Sequence, residues 1–428
     1  MGSGTSAPAC AVTLGRVLLA AIASPLTSIA GGLVLLFSAP ARLWKMHKEG
    51  DLSATKAILG TVLAALVSLP IGAIVGIVFG FLSAIYGRRS PEKPFSLGPA
   101  CNTRHSCPPS AEREAQNLKA SSPELVYETT KLGMTHANVV RPRDATAKGV
   151  VIVQHGLHCH GGAPRSLRVA AHFARSGYVS YLPDAKGHGR SEGSWAVVES
   201  LEDLAADLAA FCSEVAELHP GLPLFIQGES MGGLLVLSSP LHMSPQTLDR
   251  LDGIVAVCPA LMVADDAGDP LLEEFIRLWP LRLLKGLFPK FPATPGPKGN
   301  IFSSDEALNK AAQESIENDP LEYCGDTKFS TAMTFADALL TERNRAALVK
   351  KLQTVDKPLL LLHGTADKCV DIRCSREFLD GSSSGDKRLV EYEGKSHVLL
   401  SDNEETRAKF LSDMTDFVEE QIKKKNAF

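Results

Sequence analysis

From residue 123 to about residue 425 the chain alternates short, uninterrupted apolar runs with helical stretches, and this alternation is what most narrows the folds open to it. Gly149–Gln154, Tyr178–Pro183, Leu222–Gln227, Leu251–Val257, Pro358–His363 and Arg388–Tyr392 read as strands. Most are apolar at consecutive rather than alternate positions, the mark of a parallel sheet covered on both faces. Between them Ser166–Ser176, Leu201–Leu218 and Met231–Ser239 carry helical patterning, and Glu404–Lys424 is a long amphipathic helix. The alternation predicts a doubly wound, mostly parallel α/β domain over residues 123–428. It stops between Leu261 and about Leu352, where there is no convincing strand but several helical segments and a Pro/Gly-rich loop, Phe291–Gly299. That insertion, residues 261–352, is expected to form a helical cap above the carboxyl ends of the strands, where ligands bind in such sheets.

The first 122 residues follow a different pattern. Val17–Ala41 and Ala57–Gly87 contain no charged residue. Each exceeds the roughly 20 apolar residues, at about 1.5 Å apiece, that cross a hydrocarbon layer of about 30 Å. Residues 1–87 are therefore expected to embed in a membrane. Pro25 and Pro70 kink the two stretches, so re-entrant or bent segments compete with straight spans. Arg88–Ser122, rich in Pro, Ser and charge, reads as a linker. Met1-Gly2-Ser3-Gly4-Thr5-Ser6 fits a myristoylation pattern and Cys10 a palmitoylation site, while the lack of an acidic residue before Glu49 fits an organelle transit sequence as well.

Nine cysteines are scattered singly, with Cys101 and Cys107 in the linker expected as free thiols, and there is no N-x-[ST] sequon. Basic residues lie both between the stretches (Arg42, Lys45, Lys48, Lys56) and after them (Arg88, Arg89, Lys93), so they do not set an orientation. Single thiols, the absence of sequons and the acylation pattern at Gly2 favour a catalytic domain facing the cytosol, with a plastid or other organelle membrane as the alternative. A net charge of −4 gives no electrostatic case for nucleic acid.

Acyl transfer by serine needs a hydroxyl on a sharp turn, a histidine to take its proton and an acid to orient that histidine. G-x-S-x-G, the pattern of the turn, occurs three times. Gly189-Arg190-Ser191-Glu192-Gly193 lies in a polar loop and Gly381-Ser382-Ser383-Ser384-Gly385 in a flexible one. Only Gly228-Glu229-Ser230-Met231-Gly232 follows an apolar strand and opens a helix, which selects Ser230 as nucleophile.

The partners should follow in the order acid, then histidine. His242 comes too early and His363 ends a strand ahead of the best acid, leaving His397, in the loop after the last strand, as base. Asp367, at the turn directly after a strand, is favoured as acid over Asp371, further from the strand end. The oxyanion of the intermediate needs backbone N–H donors, expected at Met231, after the nucleophile, and at Leu157, in the loop after Val150–Gln154. His155, His158, Cys159 and His160 crowd one short loop and cannot easily surround an ion, so neither metal nor cofactor is expected.

Six segments in order resemble the monoacylglycerol lipase family and its plant-type lysophospholipase and caffeoylshikimate-esterase-like relatives. They are His155-Gly156, Gly187-His188-Gly189-Arg190-Ser191, Gly228-Glu229-Ser230-Met231-Gly232, Asn318-Asp319-Pro320-Leu321, Gly364-Thr365-Ala366-Asp367, and Tyr392-Glu393-Gly394 leading to His397-Val398-Leu399. The resemblance covers about residues 123–425 and implies an α/β-hydrolase fold, a helical cap and a triad of Ser230, Asp367 and His397. It also implies ester hydrolysis of a single-chain lipid, monoacylglycerol first. Lysophospholipase, acyltransferase or small-molecule esterase activity on the same triad are the alternatives, and a non-catalytic receptor is a further one. One departure stands out. Animal-type members place a glutamate shortly after His-Gly, whereas this chain reads Leu157, His158, Cys159, with no acid.

Overall fold

The computed structural model describes residues 119–264, 285–286, 289–290, 292–294, 301–325 and 327–427. The chain divides into two compact units, Met1–Ser96 and Leu97–Phe428, and every described residue belongs to the second. The expected membrane stretches, the acylation sites, most of the linker and residues 265–284 of the insertion lie outside the described residues. Among the described residues no helix is long and apolar enough to cross a membrane.

Ten strands and nine α-helices carry the described fold. The strands are β1 (Leu125–Leu132), β2 (Thr135–Pro142), β3 (Gly149–Gln154), β4 (Tyr178–Pro183), β5 (Leu224–Glu229), β6 (Leu251–Val257), β7 (Pro292–Thr294), β8 (Thr327–Lys328), β9 (Leu359–Gly364) and β10 (Lys387–Tyr392). The helices are α1 (Pro164–Arg175), α2 (Leu201–Leu218), α3 (Met231–Ser238), α4 (Pro245–Asp249), α5 (Glu306–Glu317), α6 (Phe329–Leu339), α7 (Glu342–Leu352), α8 (Ile372–Gly381) and α9 (Glu404–Asn426).

Eight of the strands form one sheet in the order β1-β2-β4-β3-β5-β6-β9-β10. The pairs β1/β2 and β2/β4 are antiparallel and all the others parallel. Every residue of β3, β4 and β9 is buried. Because successive side chains of a strand point to opposite faces, a continuous apolar run supplies two cores at once. Val150 and Ile152 of β3 pack with Leu204, Leu208 and Phe211 of α2 on one face. Val151 and Val153 pack with Leu167 and Phe173 of α1 and Met414 and Phe417 of α9 on the other.

Two expectations need correction. The insertion was expected to lack strands, yet β7 and β8 pair antiparallel within it. Segments of three and two residues are too short to leave a periodicity. The Gly381–Gly385 loop, expected to be flexible, is tied down: Ser383 Oγ donates to the Gln353 carbonyl at 2.8 Å and Ser384 Oγ to the Asp386 carbonyl at 3.0 Å.

Candidate active site

Strand β5 delivers Ser230 at its carboxyl end and α3 begins at the next residue. Ser230 has φ 58° and ψ −116°, a conformation that L-residues rarely adopt. Its amide donates to the Val257 carbonyl at 2.9 Å and its carbonyl accepts from Ala260 at 3.0 Å, so β6 and the residues after it hold the corner. Glycine is required on either side. A Cβ at Gly228 would collide with the Gly232 carbonyl, and one at Gly232 with the Gln154 carbonyl. Serine at the start of a helix ordinarily turns its hydroxyl onto the first free amides, but Ser230 makes no such cap bond, which leaves Oγ for chemistry.

Asp367 stands in the turn after β9 with its side chain buried. Its Oδ1 accepts the amides of Cys369 at 2.8 Å and Val370 at 3.0 Å. Its Oδ2 lies 2.7 Å from Nδ1 of His397, which follows β10 and is itself buried. An ionised carboxylate only accepts, so Nδ1 carries the proton and points Nε2 away from the acid. Burial alone would raise the Asp367 carboxyl, but the charge and hydrogen bonds of His397 and His363 outweigh it and hold the acid well below the usual range. For His397 burial opposes charging and the neighbouring Asp367 wins, so its imidazole is raised above the ordinary value.

Asp371 is occupied elsewhere: it caps α8, accepting the Arg373 amide at 2.8 Å and pairing with that guanidinium. Of the other serines in a G-x-S-x-G pattern, Ser191 is buried and its Oγ accepts the His136 amide at 2.9 Å. Ser383 makes the loop contact with Gln353 given above.

Met231 is the first residue of α3, where a helix leaves its N–H without an internal acceptor. The loop bearing Leu157 runs beside it: a Cβ on Gly156 would lie 3.4 Å from Ser230 Cβ and 3.3 Å from the Glu229 carbonyl. His155 staples that loop, with Nδ1 donating to the Gly156 carbonyl at 2.8 Å and Nε2 accepting the Ala185 amide at 2.9 Å. Burial, with the nearby His188 adding to it, holds this imidazole down to about 3, so it stays neutral in both roles.

Several residues near the site were not singled out from sequence. Asp184 accepts from the amides of Gly161 at 2.7 Å and Arg190 at 2.8 Å and lies 3.1 Å from His136 Nδ1, tying together three segments. A buried acid of the insertion reaches the loop after His-Gly. Glu322 is buried, and its carboxylate accepts from the Cys159 thiol at 3.3 Å and pairs with Arg165 at 3.0 Å. His160 Nε2 lies 3.0 Å from Asp319 Oδ2, and the Tyr323 amide donates to the His158 carbonyl at 2.9 Å. Of the crowded run after β3, His158, Cys159 and His160 thus meet the Asp319–Tyr323 segment of the insertion, while His155 holds its own loop to Ala185. Only the Asn-Asp-Pro-Leu motif hinted at it, and spacing alone cannot show that two segments about 160 residues apart meet.

A hydroxyl freed from helix capping, with a histidine oriented by a buried carboxylate, is the equipment of serine acyl transfer, and this strand order is that of the α/β hydrolases. The protein is an ester hydrolase of that class. It belongs to the family described as serine aminopeptidase, S33, whose profile matches residues 145–404. Caffeoylshikimate esterase of Arabidopsis thaliana is 28% identical over 306 residues, 70% of this chain and 86% of that one. Monoglyceride lipase of Rattus norvegicus is 27% identical over 281 residues, 65% of this chain and 84% of that one. The solved monoacylglycerol lipase of Paleococcus ferrophilus shares the fold, with a TM-score of 0.53 at 23% identity over 70% of this chain and 99% of that one. The resemblance to monoacylglycerol lipases carried by the six motifs is borne out at family level.

Proposed function

We propose that the chain cleaves carboxylic esters of single-chain lipids, monoacylglycerol first, with Ser230 as nucleophile, His397 as general base and acid, and Asp367 as its orienting acid. His397 Nε2 takes the Ser230 proton as Oγ attacks the ester carbonyl. The amides of Leu157 and Met231 receive the oxyanion, and the protonated imidazole then hands its proton to the departing alcohol. Water, deprotonated by the same nitrogen, releases the fatty acid and restores the serine. The observation that carries the reading is the 2.7 Å contact of His397 Nδ1 with Asp367 Oδ2. Labelling by a fluorophosphonate tests it: wild type should label and Ser230→Ala should not, whereas labelling retained in that variant removes the assignment.

The substrate class is supported by the names of the relatives. The same comparison supports a second reading, hydrolysis of a small aromatic ester, because one relative of comparable identity is a caffeoylshikimate esterase. We further propose that residues 1–87 embed in a membrane through Val17–Ala41 and Ala57–Gly87. Residues 88–122 then tether the catalytic domain on the cytosolic or other reducing side, and its cap spans about 261–352. Charge-free length, single thiols and the absence of sequons support this part.

A further inference from the structure

The segment that carries the Leu157 amide is a closed turn. The Cys159 amide donates to the Gly156 carbonyl at 3.3 Å, which makes Leu157 and His158 the two central residues of a β-turn. The Leu157 N–H meets no acceptor among the described residues. His158, in the third position, has φ 66°. That is left-handed backbone, which glycine or asparagine takes readily at this place in a turn and histidine does not. A residue with a larger side chain stays there only where its surroundings over-determine it.

The insertion supplies those surroundings. The Tyr323 amide donates to the His158 carbonyl at 2.9 Å, and the two rings meet edge to face with centroids 4.9 Å apart. At the last residue of the turn, Glu322 Oε1 accepts from the Cys159 thiol at 3.3 Å, across 163 residues of chain. Burial pushes that thiol well above its ordinary value, so it keeps the proton it donates. Arg165 of α1 fixes Glu322 in turn, with Nη2 at 3.0 Å from Oε1 and Nη1 at 3.4 Å from Oε2. Just past the turn, His160 Nδ1 accepts the Gly162 amide at 3.1 Å, so Nε2 carries the proton that faces Asp319 Oδ2 at 3.0 Å. The docking segment is itself stiff. Asp319 accepts the Leu321 amide on Oδ1 at 2.9 Å and the Glu322 amide on its carbonyl at 3.2 Å.

We propose that Glu322 is a positioning residue of the ester hydrolysis: with Tyr323 it clamps the Gly156–Cys159 turn in the shape that aims the Leu157 amide at the oxyanion. The inference rests on the reading above, in which that amide is one of the two oxyanion donors. The insertion then completes the oxyanion hole, rather than only covering the site. A donor acts there only within about 2.7–3.1 Å of the oxygen as it becomes charged, so a loosened turn weakens the transition state more than the bound ester.

The test compares two ligands of the full chain. One is an oleyl trifluoromethyl ketone, whose carbonyl carbon bonds to Ser230 Oγ and leaves a negative charge on its oxygen. The other is the matching ether, which forms no oxyanion. Glu322→Gln keeps the size of the side chain but loses the charge that holds Arg165 and the Cys159 thiol. It should lower kcat on 1-oleoylglycerol by about tenfold, with KM within about twofold. Affinity for the ketone should fall by about the same factor while that for the ether holds. Both affinities count only folded molecules, so their ratio is blind to partial unfolding. If Glu322→Gln fails to fold, the Cys159 variants carry the test. Cys159→Ala should shift the ratio the same way by less, and Cys159→Ser, which donates again, should restore it. A wild type that binds the ketone no better than the ether removes the oxyanion reading, and the proposal with it. A wild type that prefers the ketone, with equal preference in Glu322→Gln and Cys159→Ala, overturns the positioning role alone. A raised KM at unchanged kcat overturns it too, by placing Glu322 against the substrate.

Discussion

His363 Nε2 lies 3.2 Å from Oδ2 of Asp367, the oxygen that also receives His397. The imidazole of His363 is fully buried, with its Nδ1 at 2.7 Å from Ser375 Oγ and Nε2 also facing the Val370 carbonyl at 3.2 Å. A nitrogen facing a carbonyl and a carboxylate together carries a proton, so the acid of the site is held by two imidazoles and two amides.

His363→Leu removes one of these donors. The Asp367 carboxylate becomes more basic and draws the His397 proton more strongly, so the acidic limb of the kcat/KM profile should move to higher pH. The loss in kcat/KM at neutral pH should be about tenfold, in line with one charge-assisted hydrogen bond. A fall in stability with an unmoved limb would make His363 structural only.

Ser230→Ala and His397→Ala should each lower kcat by about 10⁴-fold or more, and the double variant by no more than the worse single one, because the two act as one unit. Ser191→Ala and Ser383→Ala should keep most activity, since those hydroxyls meet the His136 amide of β2 and the Gln353 carbonyl and not the acid–histidine pair. Steady-state rates on 1-oleoylglycerol decide it, and additive losses would count against a shared proton transfer.

The two titrations act in opposite directions on stability. Asp367 is lowered in the folded state, so its contribution is present above the unfolded value near 4 and is lost as pH falls through its folded value. His397 is raised, so its contribution is full below about 6.5 and is lost as pH rises through its folded value. The proposed mechanism needs His397 neutral, and kcat/KM should therefore rise with pH through an apparent value above 6.5. A limb centred well below 6.5 would contradict the raised imidazole.

Chain length should govern substrate preference. About 0.8 kcal/mol per buried CH₂ is close to a fourfold gain in kcat/KM for each methylene the site encloses. Butyryl and acetyl esters should then lag far behind oleoyl esters of the same alcohol. Equal efficiency across the series would favour the small-ester reading.

Membranes from cells making the full chain should retain it through alkaline carbonate extraction, and protease added to intact vesicles should digest the catalytic domain. Release by carbonate would remove the embedding of residues 1–87, and protection of the domain would reverse the orientation.

The interior of the sheet was readable in advance because burial on both faces leaves an unbroken apolar run. β3, β4 and β6 coincide with their expected limits, and β5 and β9 start one or two residues later. The hairpin of β1 and β2 was passed over: β1 is an edge strand whose residues are largely exposed or half-buried, so it looks like the polar stretch before it. Helix α8 went unnamed for a related reason. Its capping residue, Asp371, was considered only as a rival to Asp367. At the site, order along the chain narrowed the acid and the base to a few residues. What stayed illegible is the chemistry between distant segments, such as His363 beneath Asp367 or Glu322 against Cys159, where nothing in local sequence records the meeting.

The backbone of Ser230 carries a consequence for how such a chain evolves. A φ of 58° at a residue with a side chain costs on the order of 1–3 kcal/mol, a sizeable share of a domain's net stability of about 5–15 kcal/mol. Glycine would adopt that corner without steric penalty. Selection for robustness alone therefore pushes position 230 toward a residue that cannot catalyse, and only selection for turnover keeps serine there. At the proposed nucleophile, folding and function pull the same codon in opposite directions.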